Sequence, residues 1–159
     1  MRVGYGYDIH QLIKGDKLLL GGIDIKCEYA LLGHSDADVL LHAVCDALLG
    51  AAGCGDIGDH FPDTDPQYKN IDSKILLAKT DNMVRKKGYK IQNIDCIIFA
   101  QSIKISPFKT QIKEMISKVL GIARDIVNIK AKTNEELDSI GQNKAIAAAA
   151  IVLLEIPRI

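Results

Sequence analysis

HSDADVLLHAVCDALLGAAGCGDIGDHFPDTD, residues His34 to Asp65, carries three unlike features in one unbroken run. A His-Ser-Asp opening leads into a helix, a glycine-rich turn follows, and a compact acidic loop, Phe61-Pro62-Asp63-Thr64-Asp65, closes the stretch. From Asp38 the pattern is helical, because Val39, Leu40, Leu41, Ala43, Val44, Cys45, Ala47, Leu48 and Leu49 leave little room for solvent. Asp38, His42 and Asp46 nevertheless recur at a spacing of four, which sets them on one stripe of that helix. Buried ionisable groups must be paired or metal-bound to be tolerated. A lone histidine there would read as a hydrogen-bonded core residue, whereas three ionisable residues before a glycine turn point to a site. Ser35 suits an N-cap, with Asp36, Ala37 and Asp38 as the first turn. Capping accounts for Ser35, and nothing structural accounts for His34.

Around this stretch the composition is that of one domain, residues 1–159, long enough to bury a core without staples. Twenty basic residues balance 20 acidic ones, so there is no electrostatic footprint for nucleic acid or an anionic membrane. Cys27, Cys45, Cys54 and Cys96 lack the paired spacing of a zinc ribbon or redox motif; Cys45 and Cys96 read as small core residues, and a reducing cytoplasm is expected. MRVGYGYDIH has no apolar core for a signal peptide, and the longest apolar run, Ala145 to Leu154, is too short to span a bilayer. No repeat or linker suggests a second domain.

Residues 2 to 10 suit a strand, in which Gly4 and Gly6 mark a close approach by a backbone or ligand. Asp8 and His10, two apart, then share a face. With His42 they make three N/O ligands, the set of a catalytic zinc with one position left for substrate; an Asp-His hydrogen bond is the plainer alternative. Leu18 to Leu20 and Ile23 to Cys27 predict a hairpin turning on Gly21-Gly22, and Tyr29 to Gly33 a connector. Gly53, Gly55 and Gly58 around Asp56 form a turn whose N–H groups can hold phosphate oxygens, without the context of a Walker loop or dinucleotide fingerprint. The proline-flanked loop 61–65 suits a polyol.

Asp72 to Lys87 predicts an amphipathic helix with Ile75, Leu76, Ala78 and Met83 inside and Gly88 as its stop. Ile91 to Gln101 and Ile126 to Lys132 read as strands, and Ser106-Pro107 as the capped start of a helix running to about Gly121. Thr133-Asn134-Glu135-Glu136 fits a capping box that leaves Glu135 unused and able to bind a cation. Ala145 to Glu155 is ambiguous: its alanines argue helix, its β-branched residues strand.

Taken together these motifs resemble the 2-C-methyl-D-erythritol 2,4-cyclodiphosphate synthase family. The resemblance covers essentially the whole chain. It rests on Gly6-Tyr7-Asp8-Ile9-His10, on His34-Ser35-Asp36-Ala37-Asp38 with His42, and on Gly55-Asp56-Ile57-Gly58. Phe61-Pro62-Asp63-Thr64-Asp65-Pro66 and Lys132-Thr133-Asn134-Glu135 complete it. It implies an α+β fold, a four-stranded mixed sheet with helices on one face, in a homotrimer whose sheets line the centre and whose active sites lie between subunits. That makes 145–155 a strand. The implied activity is that of a phosphorus-oxygen lyase, which cyclises 4-diphosphocytidyl-2-C-methyl-D-erythritol 2-phosphate and releases CMP.

The resemblance also implies zinc on Asp8, His10 and His42, and magnesium or manganese on Glu135. His34, Ser35, Asp56, Ile57, Gly58 and the loop Phe61, Pro62, Asp63, Thr64 and Asp65 would cradle the methylerythritol phosphate. Cytidine would sit against Ala100, Gln101, Ser102, Ile103, Lys104, Ile105 and Ser106, and against Ala131, Lys132, Thr133 and Asn134. His34 and Thr133 would steady the transition state, with Asp46 supporting the metal ligands from behind. Ile103, Ser106, Ser139, Gln142 and Ala149 depart from residues common in that family. A trimeric binding module and a zinc hydrolase are the competing classes; the first would give no CMP, the second a linear monophosphate.

Overall fold

The computed structural model describes residues 1–33 and 35–156. The strand β1 (Arg2–Lys14) is long because it serves two partners. Arg2 to Gln11 pairs antiparallel with β7 (Ala145–Glu155), and Gln11 to Lys14 pairs antiparallel with β4 (Tyr29–Leu32). On the far side of β7 lies β5 (Lys90–Phe99), antiparallel, and beyond it β6 (Val127–Lys132), parallel to β5. The order is β4-β1-β7-β5-β6, so the mixed sheet has five strands and not the expected four. The added strand, Tyr-Ala-Leu-Leu, is short, lies on the edge and lacks polar alternation, so it reads as a connector. The hairpin β2 (Lys17–Leu20) and β3 (Ile23–Lys26) stands apart from this sheet. It turns on Gly21 and Gly22 at φ +62° and +77°, values that favour glycine.

The helices α1 (Val39–Ala52), α3 (Ser73–Lys86) and α4 (Lys109–Leu120) cover one sheet face; α2 (Ile57–His60) and α5 (Asp138–Gly141) are single turns. The alanines of β7 belong to a strand buried on both faces. Ala148 and Ala150 lie in the main core with α1, while Ala145 and Ala147 meet Ile140 and Phe99 on the other side. Small side chains here let α1 close on the sheet, which is why an alanine run is strand and not helix.

Several local expectations shift. The N-cap of α1 is Asp38, which accepts from the Leu41 N–H at 3.1 Å; Ser35 and Asp36 precede the helix because Ala37, at φ 61°, cannot belong to it. The other acceptor duties of Asp38 are the N–H groups of Gly21 (2.9 Å) and Gly22 (2.6 Å), which pin the hairpin turn onto the start of α1. In α3 the buried stripe contains Leu76, Leu77, Thr80 and Val84, whereas Ile75 is 48% exposed and Ala78 is exposed too. Ser106-Pro107 begins a 3₁₀ turn, Ser106–Phe108, with no side-chain cap before α4. The capping box at 133–136 does not form: Glu135 and Glu136 take left-handed backbone (φ 49° and 63°), and the next helix begins only at Asp138. A capping box does form at Asp56 and Asp59, opening α2. Cys45 and Cys96 are fully buried, as expected.

Candidate active site

Along β1 the residues facing α1 are Gly4, Gly6, Asp8 and His10 in succession. A Cβ on Gly4 would stand 1.9 Å from the Ala47 carbonyl oxygen, and one on Gly6 2.0 Å from that of Ala43. The approach anticipated at these glycines is therefore made by the backbone of α1. Ala43 lies one turn before Ala47, and the next residue towards the N-terminus is His42, which stands opposite Asp8 and His10. Asp8 Oδ2 lies 2.9 Å from His10 Nε2 and 3.0 Å from His42 Nδ1. Burial alone would raise the Asp8 carboxyl, but the hydrogen bonds and positive charge of His10 and His42 outweigh it and hold the group well below the usual carboxylate range. Burial lowers His10, and the Asp8 carboxylate more than reverses that.

Each histidine is also held from behind. His10 Nδ1 donates to the Ala37 carbonyl oxygen at 3.0 Å, since a carbonyl only accepts, and this fixes the ring with Nε2 as the nitrogen that faces Asp8. His42 Nε2 lies 2.9 Å from the hydroxyls of both Ser35 and Ser73. One ligand atom each from Asp8, His10 and His42 falls within 4.8 Å of the other two, so the three could converge on a single cation. Two imidazoles and one carboxylate with room beyond them fit a divalent metal of the zinc class.

A cavity of about 390 Å³ opens over this cluster. Ser35, Asp46, Ile57, Gly58, Phe61, Pro62, Asp63 and Thr64 line it. Asp46 accepts from the Ile57 N–H at 2.8 Å and so ties the glycine turn to α1; burial pushes its carboxyl up. Two expected residues are absent from the lining and cap short helices beside it. Asp56 is exposed and caps α2, and Asp65 caps the 3₁₀ turn Pro66–Tyr68. Tyr68, Ile71 and Leu76 join the apolar wall without having been foreseen. Ser73 was also missed; its one sequence signal is that Asp72-Ser73 offers two capping residues where α3 uses only the first. His34 lies outside the described residues.

The remaining expected residues form a second group, none of which lines this cavity. Ala100 donates to the Lys132 carbonyl at 3.0 Å, and Gln101 Oε1 accepts from Asn134 N–H at 3.2 Å, so the 100–106 and 131–136 segments pack together. Ala131 and Lys132 end β6, and Ser102 donates to Asn143. Ile103 and Lys104 line a separate cavity of about 410 Å³ beside Cys27 and Tyr29. Ile105 is in the core, and Ser106 opens the 3₁₀ turn. Thr133 donates its hydroxyl to Glu135 at 2.7 Å. Within one chain, then, Glu135 and Thr133 are not brought to the Asp8 cluster.

A small α+β domain with an aspartate-histidine-histidine cluster under a cavity defines a candidate metalloenzyme. The sequence model of the YgbB family matches residues 1–155, and the chain belongs to that family. Among its relatives is the 2-C-methyl-D-erythritol 2,4-cyclodiphosphate synthase of Desulfatibacillum aliphaticivorans, 53% identical over 98% of this chain and 100% of that protein. The bifunctional IspDF of Campylobacter jejuni superposes with a TM-score of 0.94 at 40% identity, covering 98% of this chain and 42% of that longer one. The Plasmodium falciparum IspF in complex with CDP gives a TM-score of 0.86 at 39% identity over 99% of this chain and 97% of that one. Among the described residues no helix is long and apolar enough to cross a membrane.

Proposed function

We infer that the chain is a lyase of the non-mevalonate isoprenoid route. It cyclises 4-diphosphocytidyl-2-C-methyl-D-erythritol 2-phosphate to the 2,4-cyclodiphosphate and releases CMP. The observation that carries this reading is the Asp8–His10–His42 cluster at the floor of the cavity, in a chain of this family. In the reaction the substrate's 2-phosphate oxygen attacks the β-phosphorus, the bond to the bridging oxygen breaks, and CMP leaves with that oxygen. No general base is needed, because the attacking phosphate is already ionised. Nucleophile and target are both anionic, so the barrier lies in aligning them and offsetting their repulsion.

Asp8, His10 and His42 would hold zinc, and Glu135 magnesium or manganese. These cations supply Lewis-acid charge neutralisation at the diphosphate. Ser35, Gly58 and the 61–65 loop orient the methylerythritol phosphate. His34 and Thr133 would donate hydrogen bonds to the transition state. Glu135 and the 100–106 and 131–134 segments are remote from the cavity in their own chain, which supports a homotrimer with composite sites. In it the cytidine segment of one subunit completes the metal cavity of the next. A cytoplasmic location suits four unpaired thiols.

A phosphorus NMR time course with that substrate, zinc and magnesium tests the activity. A cyclic diphosphate appearing with CMP is expected. A linear monophosphate would mean a hydrolase, and unchanged substrate over zinc-loaded protein a binding module.

A further inference from the structure

Behind the metal cluster runs a chain of polar groups that the cavity does not touch. Ser73 is fully buried at the first position of α3. Its backbone N–H donates to Asp36 Oδ2 at 2.8 Å, and its hydroxyl donates to Asp36 Oδ1. Asp36 is fixed in turn, donating its own N–H to the Ile71 carbonyl at 3.1 Å and accepting from the Asp38 N–H at 3.2 Å. With its one proton committed to a carboxylate, Ser73 Oγ has only lone pairs left for His42 Nε2, 2.9 Å away. A hydroxyl that can only accept requires a protonated Nε2, and Nδ1, 3.0 Å from Asp8 Oδ2, is then the nitrogen turned towards the cluster and able to give up its proton to a cation there.

Ser35 makes an equally short contact with Nε2, but its situation differs. Its oxygen accepts from the Ala37 N–H at 3.3 Å and it lies on the cavity wall. Nε2 carries a single proton, so the two serines cannot each receive a full bond. The buried oxygen, shielded from water and stripped of its own donor, is the better acceptor.

We propose that Ser73, anchored by Asp36, is a positioning residue that locks His42 in the Nε2-protonated tautomer and presents Nδ1 to the metal. This rests on the zinc assignment to Asp8, His10 and His42. The division of labour also leaves the Ser35 hydroxyl proton available to a substrate oxygen in the cavity. The α3 anchor survives loss of the hydroxyl, since the Ser73 backbone N–H to Asp36 remains; Ser73→Ala therefore removes the histidine contact and keeps the helix in place.

The test is zinc affinity of the full-length protein by competition with a chromophoric chelator, with circular dichroism as a control for folding. Ser73→Ala is expected to bind zinc about 10–100-fold more weakly than wild type, the usual cost of losing a partner behind a metal ligand. Ser35→Ala should lose less. In zinc-loaded wild type, long-range ¹H–¹⁵N correlations should show His42 protonated at Nε2 and metallated at Nδ1. Undiminished affinity in folded Ser73→Ala, a larger loss in Ser35→Ala, or metal at Nε2 would each overturn the proposal while leaving the zinc site standing. Wild-type protein that binds no zinc would sink both.

Discussion

Asp38 is a wholly buried carboxylate on an apolar helix, and it needs no cation because three backbone N–H groups saturate it. Asp38→Asn should therefore destabilise the protein by roughly 1–3 kcal/mol, since an amide offers one acceptor oxygen and turns a donor towards N–H groups. Urea unfolding measures this, and an unchanged midpoint would contradict the assignment. The stripe of Asp38, His42 and Asp46 was legible from spacing alone, but its members serve three different ends: a turn anchor, a cluster member and a tether for the Ile57 N–H. Spacing reports which face a residue occupies, not what arrives opposite it. Asp8 and His10 could be read because alternation in a strand is rigid. Thr133 to Glu136 was misread because the capping-box pattern assumes a helix directly after it, and the left-handed turn at Glu135 and Glu136 postpones that helix.

At the level of elements, the seam between α1 and β1 decides whether the cluster forms at all. Gly6→Ala sets a methyl 2.0 Å from the Ala43 carbonyl oxygen and 2.7 Å from the Ala47 nitrogen, backbone atoms that cannot step aside. The variant should lose about 3 kcal/mol or more, at or above the usual cost of overpacking. Gly50→Ala, on the same helix with nothing within 4 Å of the new Cβ, should instead gain about 0.5–1 kcal/mol. Thermal melts of the pair give the order; equal shifts would mean the seam is not tight. Two glycines in a strand announced a close approach by a backbone or a ligand, but not that α1 makes it. The edge strand β4 and the rotated stripe of α3 were not foreseen, because short apolar runs and mixed helices carry little periodic signal.

For the whole molecule, the sheet face opposite the helices matters most. Val3, Tyr5, Tyr7 and Ile9 stand there 66%, 63%, 45% and 42% exposed, and Ile151, paired with Tyr5 across β1 and β7, is 47% exposed. So continuous an apolar surface suits a subunit interface. On the proposed homotrimer, Tyr5→Glu with Ile151→Glu should give folded monomers by sedimentation and abolish turnover, because the proposed composite site would lose the neighbour's Glu135. A trimer that persists would place the interface elsewhere. Because β1 alternates so strictly, it spells two messages in alternate letters: one for the cavity, one for the exposed apolar face proposed as the subunit interface. Frame is thus shared. One residue inserted between Tyr7 and Asp8 would put the two parts of the strand out of phase, so that either Asp8 and His10 turn outward with Ile9 inward, or Tyr5 and Tyr7 turn into α1; an insertion of two would keep the parity of each.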